Sequence, residues 1–183
     1  TAGNYLNPVR HKTKFIAVRY GNVLGSNGSV VPKIIEQIKS GRKITITDPN
    51  MTRFNVIMNQ ALDLIERATN TGKGGEVFVP KLLAYRVGDL KDVLLDLFKS
   101  ENTTEIISVR PGEKFHESLL TIDELRNTYE SKHDYILIEK NDSRKIPARN
   151  YEKTSLNEEY SSNKVQLLTK DELKDILLKE DLL

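Results

Sequence analysis

KFIAVRYGNVLGSNGSVVPKIIEQIK, residues 14–39, decides the fold. Lys14–Tyr20 reads as a buried strand and Gly21–Gly28 as a glycine-rich loop. Ser29–Lys39 then reads as a helix, because Val30, Val31, Ile34, Ile35 and Ile38 recur at helical spacing along one stripe. Ser29 can cap that helix, Pro32 is tolerable in its first turn, and Gly41 stops it. Strand, loop and helix in this order point to an α/β chain.

The same rhythm continues outward. Lys43–Thr47 alternates as a short strand, with Asp48–Pro49 as its turn. Phe54–Met58 is a second short strand candidate, followed by a helix capped near Asn59 and running to Ala68. Gly72–Gly75 interrupts the chain before a strand at Glu76–Pro80. Val87–Lys99 predicts a helix with Leu90, Val93, Leu94, Leu97 and Phe98 inward. Glu105–Val109 predicts a strand, Pro111–Gly112 a turn, Lys114–Leu120 a short helix and Tyr135–Glu139 a strand. Residues 140–168 are polar, with few apolar anchors, and are expected to wrap a surface or a partner. Thr169 with Glu172 forms a capping box that opens a last amphipathic helix through Leu178.

Composition removes several classes. The 183 residues contain no cysteine, which excludes disulfide scaffolds, thiolate metal sites and thiol nucleophiles and suits a reducing compartment. Apolar runs such as Val93–Phe98 are broken by charge, so nothing approaches the ~20 residues of a membrane-spanning helix. No secretory leader and no membrane partner are expected. A formal charge of +2, from 28 basic and 26 acidic residues, gives no nucleic-acid footprint, so any anion site must be local. The hydrophobic share of 38% against 30% charged is low for a self-contained globule. Together with a first residue of Thr1 rather than methionine, it predicts a processed product or a piece of something longer.

Three constellations could carry chemistry. The loop Gly21–Gly28 has the strand-to-helix setting of a phosphate cradle, and Asp48 follows about twenty residues on, where a ribose-binding acid would stand. Its spacing is Gly-x3-Gly-x2-Gly, however, and on spacing alone it reads as a tight connection. Met51–Phe54 and Arg110–Lys114 each place an arginine beside a turn at a strand end. Arginine's planar fork suits bidentate contact with phosphate, so the two loops read either as a diphosphate clamp or as surface ion pairs. Tyr160 and Lys164 match the Tyr-x3-Lys spacing of a proton-transfer pair but fall in the polar tail, where the spacing is coincidental. The histidines give no metal set: His116 lacks a second histidine four residues away, and His11 and His133 lie in polar stretches. His116 is expected on a helix at the edge of the core.

Six motifs occur in order: Arg19-Tyr-Gly-Asn-Val23, Gly25-Ser-Asn-Gly-Ser-Val-Val-Pro32, Thr45-Ile-Thr-Asp48, Met51-Thr-Arg-Phe54, Gly75-Glu-Val-Phe-Val-Pro-Lys81 and Arg110-Pro-Gly-Glu-Lys-Phe-His-Glu117. This series resembles the C-terminal half of UDP-N-acetylglucosamine 4,6-dehydratases, which are extended short-chain dehydrogenases of surface-polysaccharide and flagellin-sugar biosynthesis. Glu113–Leu120 and the tail are most similar to the inverting, 5-epimerising branch that starts pseudaminic acid synthesis. The likeness runs from about Phe15 to the last helix. It departs at Asn55–Gln60, which is more polar than the family's usual stretch.

The resemblance implies the C-terminal part of an extended short-chain dehydrogenase Rossmann fold plus its smaller mixed α/β substrate domain. Residues 1–139 would carry nucleotide-sugar-binding elements, and 140–183 would be a C-terminal tail and helix. Asn22 would lie beside the sugar, Val30, Val31, Pro32 and Lys33 along uridine diphosphate, and Thr45 against the nucleotide. Arg53 and Arg110 would bind the diphosphate and Glu113 the uridine ribose, while Tyr20 and Asn22 would touch the cofactor NADP. The implied reaction oxidises C4 of the sugar, removes water across C5 and C6, and reduces C6, so that NADP is not consumed. The family's Gly-x2-Gly-x2-Gly loop, Asp-Lys pair and Tyr-x3-Lys motif would all precede this sequence, with Thr1–Pro8 ending the helix that bears the tyrosine and lysine. No catalytic residue is therefore expected here, and the chain alone is expected to be inactive. Its implied partners are a UDP-sugar, the preceding half and a homo-oligomer of the full enzyme in the cytoplasm. Kept beside this are a non-catalytic UDP-sugar-binding fragment or gene remnant, and part of a nucleotide-sugar 4-epimerase.

Overall fold

A computed structural model describes residues 13–138 and 151–183. The expected helix end at Thr1–Pro8, His11 and the boundary at 139/140 lie outside the described residues. The chain divides into two compact units, each assembled from three stretches.

One unit takes its described residues from Thr1–Tyr20, Asn59–Lys81 and Ser118–Tyr160. Its centre is a mixed sheet of β1 (Ala17–Val18), β4 (Glu76–Pro80), β8 (Thr128–Glu130), β9 (Asp134–Ile138) and β10 (Glu152–Lys153), in the order β1-β4-β9-β8-β10. The β1–β4 pair is parallel and the rest are antiparallel. Strand β4 has the expected bounds, and every one of its residues is buried. Helix α2 (Met58–Thr71) sends Leu64 and Ala68 onto Phe78 and Ile136. It starts one residue before the expected cap and runs three beyond Ala68. Arg67 on α2 grips Asp134 with two bonds of 2.7 Å, satisfying a carboxylate that is only 3% exposed.

The other unit takes Gly21–Met58, Leu82–Glu117 and Ser161–Leu183. Helices α1 (Val30–Lys39), α3 (Val87–Phe98) and α4 (Lys170–Lys179) pack with the parallel pair β2 (Ile44–Ile46) and β6 (Thr104–Ile106). A second, antiparallel pair is formed by β3 (Thr52–Phe54) and β5 (Ala84–Arg86). The α1 stripe does what its spacing predicted: Val31, Ile34, Ile35 and Ile38 are buried, with Val30 partly covered. Each fully buried branched side chain contributes about 1.5–3 kcal/mol. Thr169 and Glu172 form the expected capping box at the start of α4, which buries Leu173 and Leu177.

The outcome differs from expectation at several places. The first strand contracts to Ala17–Val18, and the second candidate moves from Phe54–Met58 to Thr52–Phe54, because Thr52–Phe54 is what β5 pairs with. Val56 makes only a single bridge, to Val23. Lys114–Leu120 is not a helix. His116 bridges to Thr52, the Glu117 N–H donates to Ser162 Oγ, and Ser118–Leu120 is strand β7. Seven residues after a Pro-Gly turn are too few to nucleate a helix when tertiary partners claim the same backbone groups. The tail also holds more anchors than its polarity predicted. Tyr160, Ser161 and Ser162 are buried, the first two as strand β11 (Tyr160–Ser161), and the Tyr160 hydroxyl donates to Pro80 O at 3.1 Å. Among the described residues no helix is long and apolar enough to cross a membrane.

Candidate functional site

The second unit contains a cleft of about 580 Å³. Its walls are the loop after Tyr20, the start of α1, strands β2 and β3, and the loop following β6. The left-handed backbone at Gly28, φ +77°, lets the chain turn directly into α1 there. Of the residues that the resemblance marks, the structure brings Asn22, Val30, Lys33, Thr45, Arg53, Arg110 and Glu113 to this one cleft. It does not bring the others. The Val31 side chain is in the apolar core, Pro32 lines a separate depression beside Leu182, and the Tyr20 ring packs with the apolar cluster of the first unit. What Val30 and Val31 can offer besides side chains is their backbone N–H groups, which open a helix and have no intrahelical acceptor.

Arg53 is the most constrained cation. Its side chain is 14% exposed, and Nη1 donates to Thr52 O at 2.8 Å and Phe115 O at 3.1 Å. Two carboxylates stand near it at longer range, Glu117 at 3.6 Å and Glu113 at 3.8 Å. Beneath it, Thr52 Oγ1 lies 2.7 Å from both His116 Nδ1 and Ser162 Oγ, and Ser162 Oγ also donates to Thr52 O at 3.1 Å. This hydroxyl–imidazole chain ties β3 to the segment that carries Glu117. His116 is therefore placed at the core edge, as expected, but on extended backbone.

Glu113 is fixed by Thr47 Oγ1, which donates to its two oxygens at 3.1 and 3.2 Å, and by the Arg110 N–H at 3.2 Å. The Arg110 guanidinium is exposed and pairs with no carboxylate among the described residues. Lys33, half-buried, and Lys114, exposed, also line the cleft and pair with no carboxylate among the described residues. Thr45 is held by Gln37, which donates from Nε2 to Thr45 Oγ1 at 2.9 Å and accepts the Thr45 N–H at 3.1 Å. Four cations thus face two carboxylates, and the first turn of α1 carries no acid to oppose its positive end. Ser29, the residue before α1, has a buried hydroxyl with no partner. The arrangement suits an extended anion with two charged groups.

Sequence reasoning gave no role to Lys114, Glu117 or Tyr85, all of which line the cleft. Lys114 and Glu117 sit in the quoted Arg110–Glu117 motif, so their neighbourhood was visible. Tyr85 carries no such signal. Burial pushes its phenol up to about 12, against the pull of Arg53 and with the help of Glu117.

The fold and the cleft define a half of a mixed α/β, extended short-chain dehydrogenase architecture. Residues 4–139 match the family described as polysaccharide biosynthesis protein, and the chain belongs to that family. It is 37% identical over 175 residues to a UDP-glucose 4-epimerase of Rickettsia rickettsii (strain Sheila Smith), covering 93% of this chain and 51% of that protein. The chain thus spans about half the length of the curated relatives it matches. Among solved structures, that of Pen from Bacillus thuringiensis superposes with a TM-score of 0.87 at 34% identity, over 97% of this chain and 53% of that one. A UDP-N-acetylglucosamine 4-epimerase from Methanobrevibacter ruminantium M1, solved with UDP-N-acetylmuramic acid, shares the fold with a TM-score of 0.51 at 21% identity, over 61% of this chain and 39% of that one.

Proposed function

We propose that this chain holds the nucleotide sugar in a UDP-sugar-modifying enzyme, and that the enzyme is a 5-inverting UDP-N-acetylglucosamine 4,6-dehydratase. The observation that carries the proposal is the cleft where Lys33, Arg110 and Lys114, unpaired among the described residues, meet Arg53 and the open end of α1. A nucleoside diphosphate brings two phosphates, which match guanidinium forks and helix N–H groups. Glu113, held by Thr47, offers acceptor oxygens to ribose hydroxyls in the same cleft, and Asn22 stands at its exposed wall.

In this reading the chain's own contribution is to bind and orient. The diphosphate is clamped, the sugar is carried past Asn22, and alignment lowers the barrier to a reaction performed by groups outside the cleft. Those groups would belong to a preceding half, which the greater length of the relatives supports. Among the described residues strand β1 stands at the end of its sheet, an edge on which that half could add strands. Residues 1–139 would be the nucleotide-sugar-binding portion and 140–183 the closing tail and helix.

An NAD(P) cofactor is part of the proposal, with NADP as the form the resemblance implies. The described residues do not make a dinucleotide site of their own, since the Tyr20 ring packs in an apolar cluster and only Asn22 is presented. A homo-oligomer in the cytoplasm completes the proposal on the resemblance.

A second reading, a nucleotide-sugar 4-epimerase, is favoured by the name of the Rickettsia relative. Incubating the protein and its preceding half with UDP-N-acetylglucosamine decides between them. Loss of one water, read by mass spectrometry, with a 4-keto product inverted at C5 by NMR, is expected. An unchanged mass with inversion at C4 would establish the epimerase instead, and absence of UDP binding would overturn both.

A further inference from the structure

Strands β3 and β5 pair antiparallel with Arg53 directly opposite Tyr85. Side chains at directly opposed positions share one face of a sheet with Cβ atoms about 4.5–5.5 Å apart, so this register places the phenol beside the guanidinium. Both residues line the cleft, and Tyr85 is 4% exposed. A buried tyrosine hydroxyl ordinarily finds a hydrogen-bond partner in the protein. The Tyr85 hydroxyl makes no hydrogen bond among the described residues and is not one of the fully enclosed unpartnered atoms, so it keeps access to the cleft that Tyr85 lines, with Arg53 and Glu117 acting on it electrostatically.

We infer that Tyr85 is a third arm of the anion clamp: its hydroxyl donates a hydrogen bond to a phosphoryl oxygen of a nucleoside diphosphate held at Arg53. The inference rests on the diphosphate reading of the cleft and extends it to an uncharged donor. A neutral phenol has physical merit at this position. Arg53 already has Glu113 and Glu117 within 4 Å, and a neutral donor beside it does not compete for those carboxylates. The phenol stays protonated throughout the neutral range, because burial holds its pKa near the upper end of the scale. It therefore presents a donor to an anion without adding charge, and the same burial keeps the ring fixed on β5.

The test is titration calorimetry of the purified protein and its Tyr85→Phe variant with UDP and with inorganic pyrophosphate. The variant removes one oxygen and leaves the ring. Loss of a hydrogen bond to a charged acceptor should weaken both ligands by about tenfold or more, and by similar factors. The melting temperature without ligand should stay close to wild type. Undiminished UDP affinity in Tyr85→Phe overturns the inference and leaves the diphosphate reading standing. Weakening confined to UDP also overturns it, since the hydroxyl would then meet the nucleoside. Wild-type protein that binds neither ligand overturns the diphosphate reading and the inference with it. Should the variant fail to fold, the carbon-labelled Cζ resonance of Tyr85 in wild type provides the readout: it should move on adding either ligand, and an unmoved resonance refutes the contact.

Discussion

Truncating the two arginines of the cleft should separate stability from binding, because the structure supports them differently. Arg53 is 14% exposed and donates to two backbone carbonyls, Thr52 O at 2.8 Å and Phe115 O at 3.1 Å. Its neighbours Glu117 and Glu113, at 3.6 and 3.8 Å, lie beyond good hydrogen-bond length and add little by themselves. Two bonds from a charged donor, at roughly 1.5 kcal/mol each, give about 3 kcal/mol of folding stability lost in Arg53→Ala. The same variant leaves two carboxylates in the cleft without their nearest cation, so UDP binding should fall below detection. Arg110 is exposed and pairs with nothing among the described residues, so Arg110→Ala should change stability by no more than about 0.5 kcal/mol. Its loss should weaken UDP by about 1.5–3 kcal/mol, roughly 10- to 150-fold. Urea unfolding and calorimetry on the same preparations measure both quantities. If the two variants lose equal stability, or if Arg110→Ala binds UDP as wild type does, the division of labour between these arginines is wrong.

Other perturbations probe the scaffold. Asp134→Asn should destabilise by about 3–5 kcal/mol in urea unfolding, because it leaves the Arg67 guanidinium without its bidentate acceptor against a nearly buried site. A Cβ at Gly88 would stand 2.9 Å from the Pro49 carbonyl oxygen, so Gly88→Ala should cost about 1–3 kcal/mol by the same assay, despite alanine's better helix propensity. Thr169→Ala should lower the unfolding midpoint and Thr169→Ser should not, since only the hydroxyl is needed by the capping box. Burial opposes the charge of Glu130, but bonds from Lys81 Nζ at 2.6 Å and the Ser155 N–H at 2.7 Å outweigh it and hold the carboxyl below its ordinary 4.5. A depressed carboxyl contributes stability above 4.5 and loses it as pH falls through its folded value, so Glu130→Gln should flatten that acid limb of the stability curve.

Legibility in the sequence followed the range of the deciding interaction. Strand β4 was readable to the residue because the apolar run Val77–Pro80 follows glycines and Glu76, and its burial on both faces needs no partner to be named. Helices α1, α3 and α4 were readable because their apolar stripes are local, and α4 also by its capping box; the Ser29 side chain, expected to cap α1, makes no cap bond. Strands β5 and β8 were not, since three residues such as Ala84–Arg86 carry no period, and only pairing with Thr52–Phe54 makes them a strand. Lys114–Leu120 failed for the same reason in reverse: its spacing permits a helix, but Thr52 and Ser162 take up its backbone groups.

The cleft follows the same division. Arg53 and Arg110 could be marked because each sits in a motif whose turn chemistry is visible within a few residues, whereas Glu113 was marked only by the resemblance. Tyr85 could not be, because its place is set by the register between β3 and β5, two segments far apart along the chain. That register is also what makes Tyr85 informative. Sliding β5 by one residue would turn Tyr85 away from Arg53 and bring the Arg86 side chain or the small Ala84 to that face. Arg110 and Lys114 reach the cleft from a loop, whereas Arg53 and Tyr85 reach it from the paired strands β3 and β5, so the sheet holds its geometry and the loop adds charge. Changes in the turns should therefore alter affinity with little loss of fold, whereas changes at β3 or β5 should alter both together.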